Sequence, residues 1–186
     1  MITVHRGDNL RVLAATPPGA FDLIYIDPPF NTGRTQRRTR LRTTRSAAGD
    51  RTGFGGRRYT STALGSERFA DTFDDYLAFL EPRLLEAKRV LSGTGSLFVH
   101  LDAREVHYVK VRLDGIFGRA SFMNEIIWAY DYGGRGKAKR AQKHDTILWY
   151  VHDPAHYTFR LSESDRRPYM APGLVTPEKR ARGKLP

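Results

Sequence analysis

The chain has 186 residues, 40% of them hydrophobic, enough for one domain with a real core. Its net charge of +11, from 31 Lys and Arg against 20 Asp and Glu, points to a polyanion partner, most simply nucleic acid. The absence of cysteine excludes disulfides and thiolate metal sites. The apolar runs are too short to cross a bilayer, and with no signal-peptide pattern at the start a cytoplasmic protein is expected.

Residues 2–5 read as a short strand. Arg6-Gly7-Asp8-Asn9 reads as a turn, with Asp8 or Asn9 placed to cap a helix over 10–15. After a Pro-Pro-Gly loop, residues 21–26 form a short apolar run of the kind expected for a buried strand. Asp27-Pro28-Pro29-Phe30 follows at once, then Asn31-Thr32-Gly33. Two prolines stop a strand ladder and fix the chain's direction. Asp27 is therefore expected at a strand's carboxyl end, where open α/β sheets place their ligands.

Residues 34–68 change character. Ten arginines there face only Asp50 and Glu67, and apolar residues are sparse. Such a segment cannot bury enough surface to offset its ordering entropy, so it reads as a long loop. Arg34, Arg37, Arg38, Arg40 and Arg42 are candidates to grip DNA phosphates.

A helix is expected over 69–91, with Phe73, Leu77, Leu80, Leu84 and Leu91 on one face and Asp71 or Thr72 as its cap. Pro82 predicts a break near Glu81, and residues 92–95 should end the helix. A strand over 96–102, a helix over 104–117 stopped by Gly118, a strand over 122–128, a glycine-rich basic loop over 132–143 and a strand over 146–151 complete the pattern. The alternation argues an α/β fold. His100 and Asp102 sit at a strand end, where they either line a cleft or act as caps and loop hydrogen-bonders. Lys143 and His144 are candidate DNA contacts or plain surface residues. No carboxylate or histidine spacing suggests a metal.

Asp27-Pro28-Pro29-Phe30, with its preceding strand and Asn31-Thr32-Gly33, resembles the catalytic loop of amino-group DNA methyltransferases. These enzymes methylate adenine N6 or cytosine N4, and the likeness is to the β-class enzymes of restriction-modification systems. It extends to Gly95-Ser96-Leu97-Phe98-Val99-His100-Leu101-Asp102, to Phe122-Met123-Asn124-Glu125-Ile126-Ile127-Trp128 and to Lys143-His144-Asp145-Thr146-Ile147-Leu148. The resemblance implies a Rossmann-like S-adenosylmethionine-dependent sheet. Residues 1–152 would be the catalytic part, with a basic insertion at 34–68, and 153–186 the start of a target-recognition region.

The chemistry gives such a loop its use. An exocyclic amine conjugated to its ring is a poor nucleophile, and two acceptors on its hydrogens can pull it toward a tetrahedral geometry. Asp27 and the Pro28 carbonyl would be those acceptors, in a Pro28-Pro29 turn that offers no competing N–H. Phe30 would stack on a flipped base, and Asn31 would contact DNA. By resemblance, Asp8, Asn9 and Asp27 would contact the cofactor, S-adenosylmethionine. Adenine is favoured over cytosine as the target by the same resemblance.

A glycine-rich cofactor loop should follow a strand somewhere. Phe54-Gly55-Gly56 lacks the flanking strand, and Gly93-Thr94-Gly95 precedes one. The resemblance therefore implies an incomplete sheet with an exposed apolar edge or face, belonging either to a fragment or truncated gene product or to a chain whose cofactor site a second chain or a homodimer partner completes. The competing reading is a catalytically inert, basic nucleic-acid-binding remnant.

Overall fold

The computed structural model describes residues 2–130, 138, 140–160 and 177. Its elements are α1 (Asn9–Ala15), β1 (Phe21–Ile26), β2 (Arg34–Arg45), β3 (Arg51–Thr52), β4 (Arg58–Asp71), α2 (Tyr76–Val90), β5 (Leu91–Leu101), α3 (Val106–Phe117), β6 (Phe122–Ala129) and β7 (His144–Val151). Most of the basic loop over 132–143 and most of the region after 160 lie outside the described residues.

The main sheet has the order β1-β5-β7-β6. β1 and β5 are parallel, and β7 runs antiparallel to both of its neighbours. This mixed sheet with crossing helices is the expected α/β, Rossmann-like class. Its strands alternate, so one face gathers Ile24, Ile26, Leu97, Val99, Leu148 and Tyr150 beneath α2 and α3. α2 contributes Leu80, Leu84 and Ala87 to that core, and α3 contributes Val109 and Leu113. The other face is largely bare: Leu23 is 63% exposed, Tyr25 52% and Trp128 57%. Trp149 has aromatic cover there, from Tyr157 and Phe159. The expected exposed apolar face is thus present, and β1 is also an open sheet edge.

Several expectations need correction. Residues 2–5 form no strand; Ile2 and Val4 stand in solvent with no neighbouring strand to pair. The helix expected from residue 69 begins at Tyr76, because 69–71 continue the β4 ladder toward Arg34. Its cap is Asp75, whose carboxylate accepts from Ala78 N at 2.9 Å. Pro82 lies inside α2 without ending it. The proline is exposed, while Leu80 and Leu84 are buried. Core packing of those leucines offsets the lost hydrogen bond. α2 passes directly into β5 at Leu91, so Ser92, Gly93, Thr94 and Gly95 belong to the strand. Gly118 ends α3 as expected, at φ +90°.

The largest correction concerns residues 34–68. They are a β-ribbon, not a loop. β2 pairs antiparallel with β4 from Arg34↔Asp71 to Arg45↔Tyr59, and β3 adds a short third strand on β4. The ladder satisfies the backbone without any core, and Thr35, Thr39, Thr43 and Thr60 suit extended backbone. At the tip, Gly49 lies so close to Tyr59 that a Cβ would meet its backbone at 2.4 Å, so only glycine fits.

Candidate active site

The site begins where β1 ends. Asp27-Pro28-Pro29 leaves the sheet between two clefts and lines both of them. The first, of about 600 Å³, is closed on its far side by Gly7, Asp8, Asn9, Phe79 and Arg83. The second, of about 420 Å³, is lined beyond the prolines by Phe30, Thr32, Gln36 and Asp71. Both volumes fall in the range of small-molecule sites.

The loop's shape is imposed from below. Asp71, at the end of β4, is 3% exposed. Its carboxylate accepts from Asn31 N at 2.8 Å, Thr32 N at 3.2 Å and Thr32 Oγ1 at 2.5 Å. Burial alone would raise its pKa, but the Thr32 hydroxyl and the two amides outweigh it and hold the carboxyl below its ordinary value. Asn31 sits at φ +53°, a left-handed conformation that asparagine tolerates. Its side-chain amide donates to Glu105 Oε1 at 2.7 Å and accepts from Phe73 N at 3.2 Å. The side chain of Asn31, the expected DNA contact, is thus engaged by Glu105 just before α3 and by the backbone of Phe73 ahead of α2, which ties the loop to both.

Tyr76 donates to the Pro29 carbonyl at 2.8 Å. Burial first, then the charges of Glu105, Asp71, Asp102 and Asp27, push its phenol pKa up, so it stays a neutral donor. Among the described residues nothing donates to the Pro28 carbonyl or to the Asp27 carboxylate. Those two acceptors remain open while the neighbouring carbonyl is used.

His100 packs behind them. Its Nδ1 lies 3.0 Å from Tyr25 Oη and 3.9 Å from Asp27 Oδ1, and its ring meets Phe30 edge-on at 5.6 Å. Its Nε2 is buried with Asp145 Oδ2 at 3.5 Å. His100 lines neither cleft but lies against two residues that do, Asp27 and Phe30. Asp102 is a loop hydrogen-bonder that accepts from Arg104. Burial, then the charge of Asp27, raises the Tyr25 pKa.

Asp8 is a cap, as one of its two expected roles has it, and it also borders a cleft. It caps α1 through Leu10 N at 3.0 Å, pairs with Arg83 at 2.9 Å, and still lines the larger cleft. The Leu10 bond, with Arg83, lowers its pKa. Asn9 Oδ1 accepts from Arg83 Nε at 3.1 Å on the same wall. Arg34, Arg37, Arg38, Arg40 and Arg42 all lie on β2 and line neither cleft, though Arg34 stands at the ribbon's base opposite Asp71, a residue of the second cleft. His144 is exposed at the start of β7, and the Lys143 carbonyl accepts from Tyr130 N at 2.9 Å.

Sequence reasoning missed Asp71, Tyr76, Arg83, Glu105 and Asp145. All but Arg83 and Asp145 hold the loop from 39 or more positions away, a relation that no local spacing reveals. Among the described residues no group of three or more His, Asp or Glu gathers to hold a metal, and no helix is long and apolar enough to cross a membrane.

Residues 21–171 match the profile of a protein family described as DNA methylase, of the N6/N4 type. The chain is 28% identical over 152 residues to the type II methyltransferase M.KpnI of Klebsiella pneumoniae, covering 80% of this chain and 32% of that protein. It is 33% identical over 125 residues to the Mod subunit of the type III restriction-modification enzyme StyLTI of Salmonella typhimurium, covering 66% of this chain and 19% of that subunit. The chain thus spans a third or less of the length of these two relatives. Among solved structures, the PvuII DNA methyltransferase (cytosine-N4-specific) superposes with a TM-score of 0.50 at 13% identity, over 80% of this chain and 48% of that one.

Proposed function

The chain belongs to the N6/N4 DNA methylase family, and from that premise we propose that it carries the catalytic loop for methyl transfer to an exocyclic amine of a DNA base, adenine N6 first. The observation that carries this reading is the shared wall. Asp27, Pro28 and Pro29 line both clefts, so a donor held in one and a base held in the other would meet at the same residues.

The larger cleft, of about 600 Å³, suits S-adenosylmethionine: Asp8 is paired with Arg83 on its wall, and the open Asp27 carboxylate gives it an acidic side for a cation bearing hydroxyls. When bound, that cofactor supplies an electrophilic methyl group on a sulfonium, open to in-line displacement. Asp8 and Asn9 would hold it from the α1 side, and Asp27 from the loop. In the other cleft Phe30 stacks on the base, rotated out of its duplex. The open Asp27 carboxylate and Pro28 carbonyl accept the two amine hydrogens and turn the nitrogen lone pair toward the donor. These acceptors work hardest in the transition state, where the nitrogen becomes tetrahedral and positive. Arg34, Arg37, Arg38, Arg40 and Arg42 contact the phosphates, with Lys143 and His144 as further DNA contacts.

The test pairs a titration with S-adenosylmethionine with incorporation of its tritiated methyl group into duplex DNA, followed by nucleoside analysis. Saturable cofactor binding and N6-methyladenine are expected. N4-methylcytosine would redirect the target, and DNA binding without cofactor binding would replace the enzyme reading with an inert nucleic-acid-binding chain.

A further inference from the structure

We infer that the β2–β4 ribbon is a groove-entering arm that lies in the major groove of B-form DNA, rather than a phosphate clamp laid on the outside of the duplex. The inference rests on the DNA-methylating role proposed above and adds a second recognition element to it.

Three observations carry it. First, the ribbon has arginine on both of its faces. Alternation puts Arg34, Arg38, Arg40 and Arg42 on one face of β2 and Arg37 on the other, where its cross-strand partner is Arg68. A ribbon lying on the outside of a duplex needs charge on one face only. One inserted between two phosphate walls needs it on both, and the major groove, about 12 Å wide, admits a two-stranded ribbon. The ribbon is two-stranded over most of its length, β3 adding only Arg51–Thr52 at the tip.

Second, these charges are uncommitted. Among the described residues none of the β2 arginine side chains makes a hydrogen bond or ion pair. Glu67, paired in register with Arg38, is instead engaged by Arg6 at 2.8 Å. Between Arg34 and Asp71 the chain carries ten arginines against three acids.

Third, the arm is long, thin and bent. A twelve-residue strand spans roughly 40 Å. Its partner strand interleaves small residues, Ser61, Ala63, Gly65, Ser66 and Ala70, with the larger Tyr59, Leu64, Glu67 and Arg68. The register skips Leu64 between Arg40↔Gly65 and Leu41↔Ala63, a bulge that increases local twist. No core lies beneath it: Leu41 and Leu64 are 50% and 64% exposed.

The arm is also fixed to the chemistry. Its base pair is Arg34↔Asp71, and the Asp71 side chain holds Asn31 and Thr32 of the catalytic loop. A duplex gripped by the ribbon is therefore held in register with the loop.

The experiment compares three duplexes of one sequence at one salt concentration, using the intact chain. These are plain B-form DNA, the same DNA carrying glucosylated 5-hydroxymethylcytosine, and RNA. The glucosyl groups fill the major groove and leave the phosphates unchanged, while the A-form major groove is too deep and narrow to enter. We expect at least tenfold weaker binding to both modified DNA and RNA. The variant R37Q/R38Q/R40Q/R42Q should lose that discrimination. Its salt slope should be shallower by up to about 3.6, at roughly 0.9 for each phosphate that the variant no longer neutralises. Circular dichroism and the melting temperature of the variant establish that the ribbon change has not unfolded the main sheet. Equal affinity for plain and glucosylated DNA, or discrimination that survives in the variant, overturns the inference. Methyl transfer with equal affinities would leave the proposed function standing and remove the arm from the groove. Groove discrimination without methyl transfer would do the reverse.

Discussion

In the packed half of the molecule Leu80, Leu84 and Leu113 are at most 1% exposed, whereas the ribbon's two leucines, Leu41 and Leu64, stand half or more in solvent. One region coheres by removing apolar surface from water. The other coheres mainly by its backbone ladder, and among the described residues its β2 arginine side chains form no ion pair, although Arg38 lies in register with Glu67 and Arg34 with Asp71. The contrast separates two tasks. The core fixes where β1 ends and therefore where Asp27 stands. The ribbon adds charge and reach without contributing to that core. The catalytic loop joins them, anchored to the core by Tyr76 and Glu105 and to the ribbon by Asp71.

The sharpest way to break this comparison is a pair of leucine truncations. Leu84→Ala should cost about 2–5 kcal/mol of stability, whereas Leu64→Ala should stay within about 0.5 kcal/mol. Urea unfolding monitored by circular dichroism reads both. Similar costs would mean that the ribbon shares the core's cohesion.

Asp71→Asn tests the joint between the regions. Loss of a buried acceptor for three donors should weaken the loop by about 1.5–3 kcal/mol, seen as faster hydrogen exchange at the Asn31 and Thr32 amides. The wild-type joint should respond to acid. The Asp71 pKa is lowered in the folded state, so its contribution is present above the ordinary value of 3.8 and is lost as the pH falls through the lower folded value. Exchange protection at those amides should therefore hold at pH 5 and above. Loss of protection at neutral pH would point to another anchor.

Phe30→Ala is expected to have a smaller effect, confined to the base-side cleft. It removes a stacking surface worth about 1–3 kcal/mol per base, so capture of a flipped base, read by 2-aminopurine fluorescence, should weaken. Phe30→Tyr and Phe30→Trp should retain most of the signal, since a π-face remains. An unchanged signal in Phe30→Ala would remove the ring from base capture.

The packed half was legible because its residues repeat with the period of a buried face. β5 and β7 alternate under the helices, and the Val109–Leu113 stripe of α3 follows helical spacing. The ribbon was not legible for the same physical reason. A strand exposed on both faces has no buried set to alternate, so Arg34 to Arg45 looks like a charged loop although every residue is paired. Pro82 misled because helix propensity was weighed without the packing of Leu80 and Leu84 around it. In the site, Asp27, Phe30 and Asp8 were readable from local context. Asp71, Tyr76 and Glu105 act across the fold, and the internal partners of Asn31 are not legible because they lie far from it in sequence.

The central claim is that the Asp27 carboxylate grips the reacting amine. It is tested most directly by single-turnover transfer of a tritiated methyl group into duplex DNA, comparing the wild-type chain with Asp27→Ala in a preparation that methylates DNA, with DNA affinity measured at the same salt. Because the grip tightens in the transition state, the variant should lose on the order of 100-fold or more in rate while DNA affinity holds. Near-normal turnover by Asp27→Ala would contradict the account and reduce the Pro28-Pro29 turn to a structural element.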